Sequence, residues 1–449
     1  MLVSCTQHAE QKSEIPPTQS PDTAITTKPA EYKAGELITQ VIAAADPSQS
    51  YALYLPKNYD TISHLPAMIF FDPHGSGSYP VGLFRSLADE FGFILVGSNN
   101  SKNGITFEQT NLIASHLVSE VVNRYAANPG RISLAGFSGG AKAALMAAET
   151  NETLISVIYC GAAVPVTSFR RLPPALGFAG TKDMNYTEII SSAKTMDEMN
   201  FSHSIVSWNG KHEWPDSVTF SNAFYWSCFQ AMKLNIIPVN KQQVNRFISS
   251  MEKKLAATKS LTATSGCLEQ LISFIDGIAD AGSYRAKLQS IQHSAAFRKE
   301  MANQNGMLQK EIKLKESYMQ AFNEKDLRWW QDEVMRMNRV EGPEKEMYQR
   351  LLGYLSLAAY SYSNNSLKQN NFPAAGHFLA IYKLADPTNS EQPFLSACLY
   401  AKQGDQPNAI MSLKEAIRLG LKDKSKIEQE ESFSSLRSNP EFSSLLNGL

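Results

Sequence analysis

From about Gly35 to Lys233 the chain alternates short apolar, β-branched runs with helix-length amphipathic stretches. That alternation predicts a mostly parallel sheet covered by helices. The strand-like runs are Leu37 to Ala43, Tyr51 to Leu55, Ala67 to Asp72, Phe93 to Ser98, Arg131 to Ala135, Leu154 to Cys160, Leu176 to Ala179 and Ser204 to Trp208, eight in all. Between them, helical periodicity marks Val81 to Glu90, Phe107 to Tyr125, Gly140 to Glu149, Tyr186 to Asn200 and Ser217 to Met232. The first strands have no helix between them, so they are expected to form an antiparallel edge. After Asn235 the strand signal nearly vanishes, and Leu, Ala, Met and charged residues recur at helical spacing to the end. The fold class expected is therefore α/β with an eight-stranded mostly parallel sheet, followed by an all-α part.

Within the helical half, Phe372 to Gly420 resembles tetratricopeptide repeats. Ala380 and Asp386-Pro387 close one unit, and Ala401, Gly404, Ala409 and Ala416 mark the next. Small residues at these spacings let paired helices approach closely, and a proline ends one helix before the next begins. Phe433 to Leu446 reads as a short terminal helix pair. The domains expected are thus a start and tether over 1–34, an α/β unit over 35–236, and a helical unit over 237–449.

Length and composition agree with two ordinary globular units. A chain of 449 residues exceeds the size at which one core keeps growing, and 43% hydrophobic with 19% charged residues is unexceptional. Lys plus Arg (42) nearly balances Asp plus Glu (43), so no overall field favours nucleic acid or an anionic membrane. No apolar run reaches the roughly 18 residues of a spanning helix. The five cysteines are scattered, without a C-x-x-C pair, so no metal or redox cofactor is expected; Cys160 and Cys398 fall on apolar element faces and read as core. Cys5 differs. Leu2-Val3-Ser4-Cys5 resembles the lipobox of bacterial lipoproteins, and the Ser-, Thr-, Pro- and Gln-rich stretch from Thr6 to Tyr32 suits a tether. Lipidation of Cys5 would place the protein in the cell envelope, periplasmic or on the outer membrane.

The chemistry concentrates at Gly136-Phe137-Ser138-Gly139-Gly140, between the apolar run Ile132 to Ala135 and the alanine-rich Ala141 to Ala148. A strand that turns this sharply into a helix needs glycine at the flanking positions, and it presents the serine at the sheet's carboxyl edge above a helix N-terminus. A serine hydroxyl needs a base to take its proton and an acid to fix the base's tautomer. Four histidines follow Ser138; His293 and His377 belong to the helical half and His203 begins a strand, which leaves His212, in Asn209-Gly210-Lys211-His212-Glu213-Trp214-Pro215 after the last strand. Asp183, closing Gly180-Thr181-Lys182-Asp183 after the penultimate strand, is the candidate acid. Glu188 and Asp216 stand in reserve as first-turn helix residues. Negative charge on the attacked carbonyl oxygen calls for backbone N–H donors. Gly139 supplies one candidate, and the loop Asp72-Pro73-His74-Gly75-Ser76-Gly77 supplies the other through Ser76 or Gly75, with His74 bracing it.

Taken in order, His74-Gly75-Ser76-Gly77, the Ser138 pentapeptide, Gly180-Thr181-Lys182-Asp183 and His212-Glu213-Trp214-Pro215 resemble the α/β-hydrolase superfamily, nearest its esterase, polyhydroxybutyrate-depolymerase-like and dienelactone-hydrolase-like branch. The similarity spans roughly Leu37 to Lys233. It implies acyl transfer to water through an acyl-serine, with Ser138 as nucleophile, His212 as base, Asp183 as acid and Gly139 with Ser76 in the oxyanion hole. Many relatives carry a helical cap between the sixth and seventh strands, whereas only Gly161 to Pro174 separates them here. An open site for a bulky or polymer-attached acyl substrate is the expectation, walled by Phe137, Trp214 and Tyr186. The same residues would serve a serine peptidase. A third reading is a non-catalytic scaffold whose helical half binds a peptide or protein partner.

Overall fold

The computed structural model describes residues 32–449. Cys5 and most of the expected tether lie outside these residues. The sheet has eight strands in the order β1-β2-β4-β3-β5-β6-β7-β8. They are β1 (Leu37–Ile42), β2 (Ser50–Tyr54), β3 (Ala67–Phe71), β4 (Ile94–Ser98), β5 (Ile132–Phe137), β6 (Leu154–Cys160), β7 (Ala175–Gly180) and β8 (His203–Trp208). β1 and β2 pair antiparallel, and β2 joins β4 antiparallel; every other pairing is parallel. The central strands are buried throughout because helices cover both faces, which is why they read as mostly apolar runs without regular alternation.

The covering helices are α1 (Ser78–Phe91), α2 (Phe107–Tyr125), α3 (Gly139–Thr150), α4 (Tyr186–Glu198) and α5 (Ser217–Lys233). α2 begins with a complete capping box, in which the Thr106 hydroxyl accepts from Gln109 N–H and the Gln109 side chain accepts from Thr106 N–H. Such reciprocal satisfaction of orphan donors fixes the start sharply.

The helical half continues as α6 (Lys241–Ala257), α7 (Leu261–Ile275), α8 (Gly282–Gln292), α9 (Ala295–Glu324), α10 (Leu327–Asn338), α11 (Lys345–Lys368), α12 (Phe372–Ala385), α13 (Glu391–Lys402), α14 (Gln406–Arg418), α15 (Lys424–Gln429) and α16 (Pro440–Asn447). Residue 236 does not mark the edge of a core. Phe247 of α6 and Phe274 of α7 stack with ring centroids 4.6 Å apart and close onto Phe229 and Trp226 of α5, so α6 and α7 extend the core of one sheet face. A separate apolar core gathers Tyr318, Phe322, Trp330, Leu351, Leu355, Phe378, Phe394 and Phe433, so the independent helical unit starts within α9. Within the repeat-like stretch Phe372 to Gly420, α13 packs on α14, and α12 packs on α11, which precedes the stretch. Ala401, Ala409 and Ala416 are buried there, and Gly404 takes a positive φ of 78° in the turn between α13 and α14. Cys160, Cys228, Cys267 and Cys398 are buried free thiols.

Candidate active site

At the carboxyl end of β5 the chain turns into α3 within one residue, and Ser138 takes φ 53° and ψ −120°. A non-glycine residue held there stores on the order of 1–3 kcal/mol, which the surroundings must overrule. They do so by close approach. A Cβ on Gly136 would lie 2.0 Å from the Gly140 carbonyl oxygen, and one on Gly140 would lie 1.9 Å from the Phe71 carbonyl oxygen. Ser138 N–H donates to the Cys160 carbonyl at 2.8 Å, tying the turn to β6.

The three side chains named from the sequence meet there. Ser138 Oγ lies 3.0 Å from His212 Nε2, and His212 Nδ1 lies 3.0 Å and 3.1 Å from the two Asp183 oxygens. The Asp183 carboxylate is buried and also accepts the Asn185 N–H at 2.8 Å. Its loop is sewn to the histidine loop by Thr181 N–H to Trp208 O (2.8 Å) and Lys182 N–H to Gly210 O (3.0 Å). Gly180 permits this contact, since a Cβ there would meet Gly210 O at 2.6 Å. The reserve acids have other tasks. Glu188 accepts the Ala163 N–H at 2.7 Å, and Asp216 caps α5 by accepting from Thr219 N–H.

Strand β3 runs beside β5 with Phe71 opposite Gly136, so the loop 72–77 flanks the serine turn. Among the described residues no acceptor takes up the N–H of Gly139 or of Ser76. Gly75 differs: its N–H is spent on the Asp72 carbonyl at 3.1 Å, closing the turn, so of the two loop candidates only Ser76 has a free donor. Asp72 is the loop's anchor. It is buried, and it accepts the His74 N–H at 2.9 Å and the Trp214 indole N–H at 3.2 Å. Burial raises its pKa, but the hydrogen bonds from His74 and Trp214 outweigh that and hold it below its ordinary value. His74 is in turn held above its ordinary value, first by its hydrogen bond to Asp72.

The aromatic candidates sit elsewhere than expected. Phe137 and Trp214 are 8% and 6% exposed, and their rings pack 5.6 Å apart in the core. Phe137 also supports His212 from 4.8 Å. They are a floor beneath the relay, with almost no surface left for a substrate. Tyr186 is half-buried under the Arg350 guanidinium, 4.8 Å from its ring. The site is also less open than the short Gly161 to Pro174 connection suggests, because α9 and α11 lean on the loop 181–187, and Glu391 and Lys426 come near enough to perturb His74.

Two neighbours carried no sequence signal. Gly161, with φ 68°, abuts both Phe137 and Asp183, and its carbonyl accepts from Asn185 Nδ2 at 2.8 Å. The Asn103 amide lies over Gly139, where a Cβ would fall 1.7 Å from Asn103 Oδ1. Among the described residues no cluster of three or more His, Cys, Asp or Glu could hold a metal ion, and no helix is long and apolar enough to cross a membrane.

Strand order, serine turn and loop order together decide the architecture. The fold is that of the α/β-hydrolases. Solved structures similar to this chain include esterase B of Lactobacillus rhamnosis, with 16% identity and a TM-score of 0.38 over 45% of this chain and 90% of that one. Another is an esterase of Pyrobaculum calidifontis, with 16% identity and a TM-score of 0.35 over 45% of this chain and 86% of that one. A third is an S-formylglutathione hydrolase of Agrobacterium tumefaciens, with 14% identity and a TM-score of 0.36 over 42% of this chain and 93% of that one. No family model matches the chain, and no curated protein does.

Proposed function

We propose that the protein is a serine hydrolase that cleaves carboxylic esters through an acyl-serine intermediate. The observation that carries this reading is the continuous relay from Asp183 through His212 to the Ser138 hydroxyl, with every link near 3 Å and, beside it, the Gly139 N–H, for which no acceptor is found among the described residues. Asp183 holds the His212 proton on Nδ1, leaving Nε2 free to accept. Ser138 Oγ attacks the ester carbonyl carbon while His212 Nε2 takes its proton. The carbonyl oxygen becomes an oxyanion, for which the N–H groups of Gly139 and Ser76 are the proposed donors. Collapse breaks the carbon–oxygen bond to the alcohol, which leaves with the proton from His212. Water, deprotonated by His212, then repeats the attack on the acyl-serine, releasing the acid and restoring the hydroxyl.

A bulky or polymer-attached acyl group is the proposed substrate: the short connection after β6 puts no lid from within the sheet domain over the serine turn, while the helical half borders the site on the side of the loop 181–187. The test is a panel of acetyl, feruloyl, longer acyl and aminoacyl substrates, with a fluorophosphonate probe, on wild type and Ser138→Ala. Ester turnover and probe labelling in wild type alone support the reading; equal labelling of both proteins overturns it. Cleavage of aminoacyl amides in place of esters would move the assignment to a peptidase. An envelope location through Cys5 is proposed on its lipobox-like context, and membrane fractionation of Cys5→Ala against wild type decides it.

A further inference from the structure

The loop that carries Asp183 is held from outside its own domain. Arg350 of α11 donates through Nη1 to the Thr181 carbonyl at 2.7 Å, two residues before Asp183. Lys315 of α9 donates through Nζ to the Met184 carbonyl at 2.7 Å, one residue after it, and to Thr187 Oγ1 at 3.1 Å. Both cations converge on Glu311, a fully buried carboxylate: Arg350 Nη2 and Nε reach Glu311 Oε2 at 2.6 Å and 2.9 Å, and Lys315 Nζ lies 2.9 Å from Glu311 Oε1. The Thr181 hydroxyl adds a bond to Glu346 Oε1 at 3.2 Å.

Burying the Glu311 carboxylate and the Arg350 guanidinium, with Lys315 partly buried beside them, is expensive and stabilises a fold less than apolar packing of the same volume, so this triad is poorly explained as a staple between domains. Directionality is what it adds. Arg350 and Lys315 fix two backbone carbonyls that bracket one residue, and that residue orients His212.

We propose that Glu311, Lys315 and Arg350 are positioning residues for the hydrolytic reaction, a brace by which the helical half holds the Asp183 carboxylate on His212. The proposal rests on the Ser138 reading above. Loss of the brace lets the acid wander, and misplacement by about 1 Å can cost about 100-fold in rate.

The experiment uses the full chain with Arg350→Met/Glu311→Gln, which removes a charge pair together, and separately Lys315→Met. Measured on each are kcat and KM for a p-nitrophenyl ester, the pH profile of kcat, unfolding by urea, and amide hydrogen exchange across 181–187. The expected result is kcat down by about 10- to 100-fold with KM within about twofold. Faster exchange should be confined to 181–187, and Arg350→Lys should fall between variant and wild type. A folded variant with wild-type kcat and wild-type exchange overturns the proposal. So does a kcat loss that accompanies faster exchange throughout the chain, since that is a structural role. If the double variant does not fold, Lys315→Met decides on the same readouts. A wild-type protein inert to the fluorophosphonate probe sinks the hydrolase reading, a failure visible before any variant is made.

Discussion

Replacing Gly161 with alanine isolates how closely the acid is fitted to its site. Gly161 follows β6 in the left-handed region at φ 68°, where a Cβ costs about 1–2 kcal/mol. That Cβ would lie 2.6 Å from Phe137 Cε2 and 3.1 Å from Asp183 Oδ2. Neither neighbour can retreat freely, because Phe137 is wedged between His212 and Trp214, and Asp183 is clasped by His212 and the Asn185 N–H. Overpacking of this kind costs about 1–3 kcal/mol more, so the total loss expected is about 2–5 kcal/mol. The carboxylate is also pushed off His212, and kcat should fall by about 100-fold. Gly404→Ala is the control: its φ is 78° and nothing lies within 4 Å of the added Cβ, so it bears a similar backbone cost alone. Urea unfolding of both variants and ester turnover give the comparison. Equal destabilisation by the two substitutions, with turnover intact in Gly161→Ala, refutes the fitted geometry.

Other substitutions probe the relay and its surroundings. Asp183→Asn should present an amide N–H to His212 Nδ1, drive the imidazole proton onto Nε2 facing Ser138, and lower kcat by about 10⁴-fold without loss of fold; turnover within tenfold of wild type would remove Asp183 from the reaction. Ser76→Ala should leave ester turnover within about twofold, because the backbone N–H is the proposed donor; a loss of 100-fold would assign the role to the hydroxyl. Lys233, which donates to the Ser273 carbonyl at 2.6 Å, is pushed down by burial to about 8 from 10.5. Between those values the unfolded chain binds the extra proton, so stability is lowest below pH 8 and rises toward pH 10.5 by at most about 3 kcal/mol. Urea unfolding at pH 7 and pH 10 should therefore show wild type gaining on Lys233→Met as pH rises, and a constant difference would contradict that burial.

The strands were legible because burial on both faces turns β3 to β6 into short, mostly apolar runs, broken inside only by Ser133 and Ser156, whose hydroxyls bond to each other and to Ser227. The relay was legible for a related reason: a strand-to-helix turn at Ser138 demands glycines that sequence displays, and its partners lie on loops whose order along the chain is their order along the sheet. What a side chain faces is another matter. Phe137 and Trp214 adjoin the serine and the histidine in sequence, yet adjacency says nothing about whether a ring turns outward to a ligand or inward under the relay; here the indole is drawn inward by the Asp72 carboxylate. The edge of the first core was hidden likewise, since the apolar stripe of α6 announces a buried face without naming the surface that buries it.

The brace on the Asp183 loop marks the limit most clearly. Glu311 and Lys315 are spaced i, i+4 on a helix, the pattern of an ordinary solvent-facing ion pair worth a few tenths of a kcal/mol. In the folded chain the carboxylate is instead wholly buried, and a third member, Arg350, arrives from α11, 39 residues beyond Glu311. Periodicity cannot separate the two situations, because both put polar residues on one helical face; only the tertiary contact distinguishes them. The same contact adds support from outside to a loop that the sheet domain already ties through Thr181 N–H to Trp208 O and Lys182 N–H to Gly210 O, since the helical half holds the carbonyls of Thr181 and Met184.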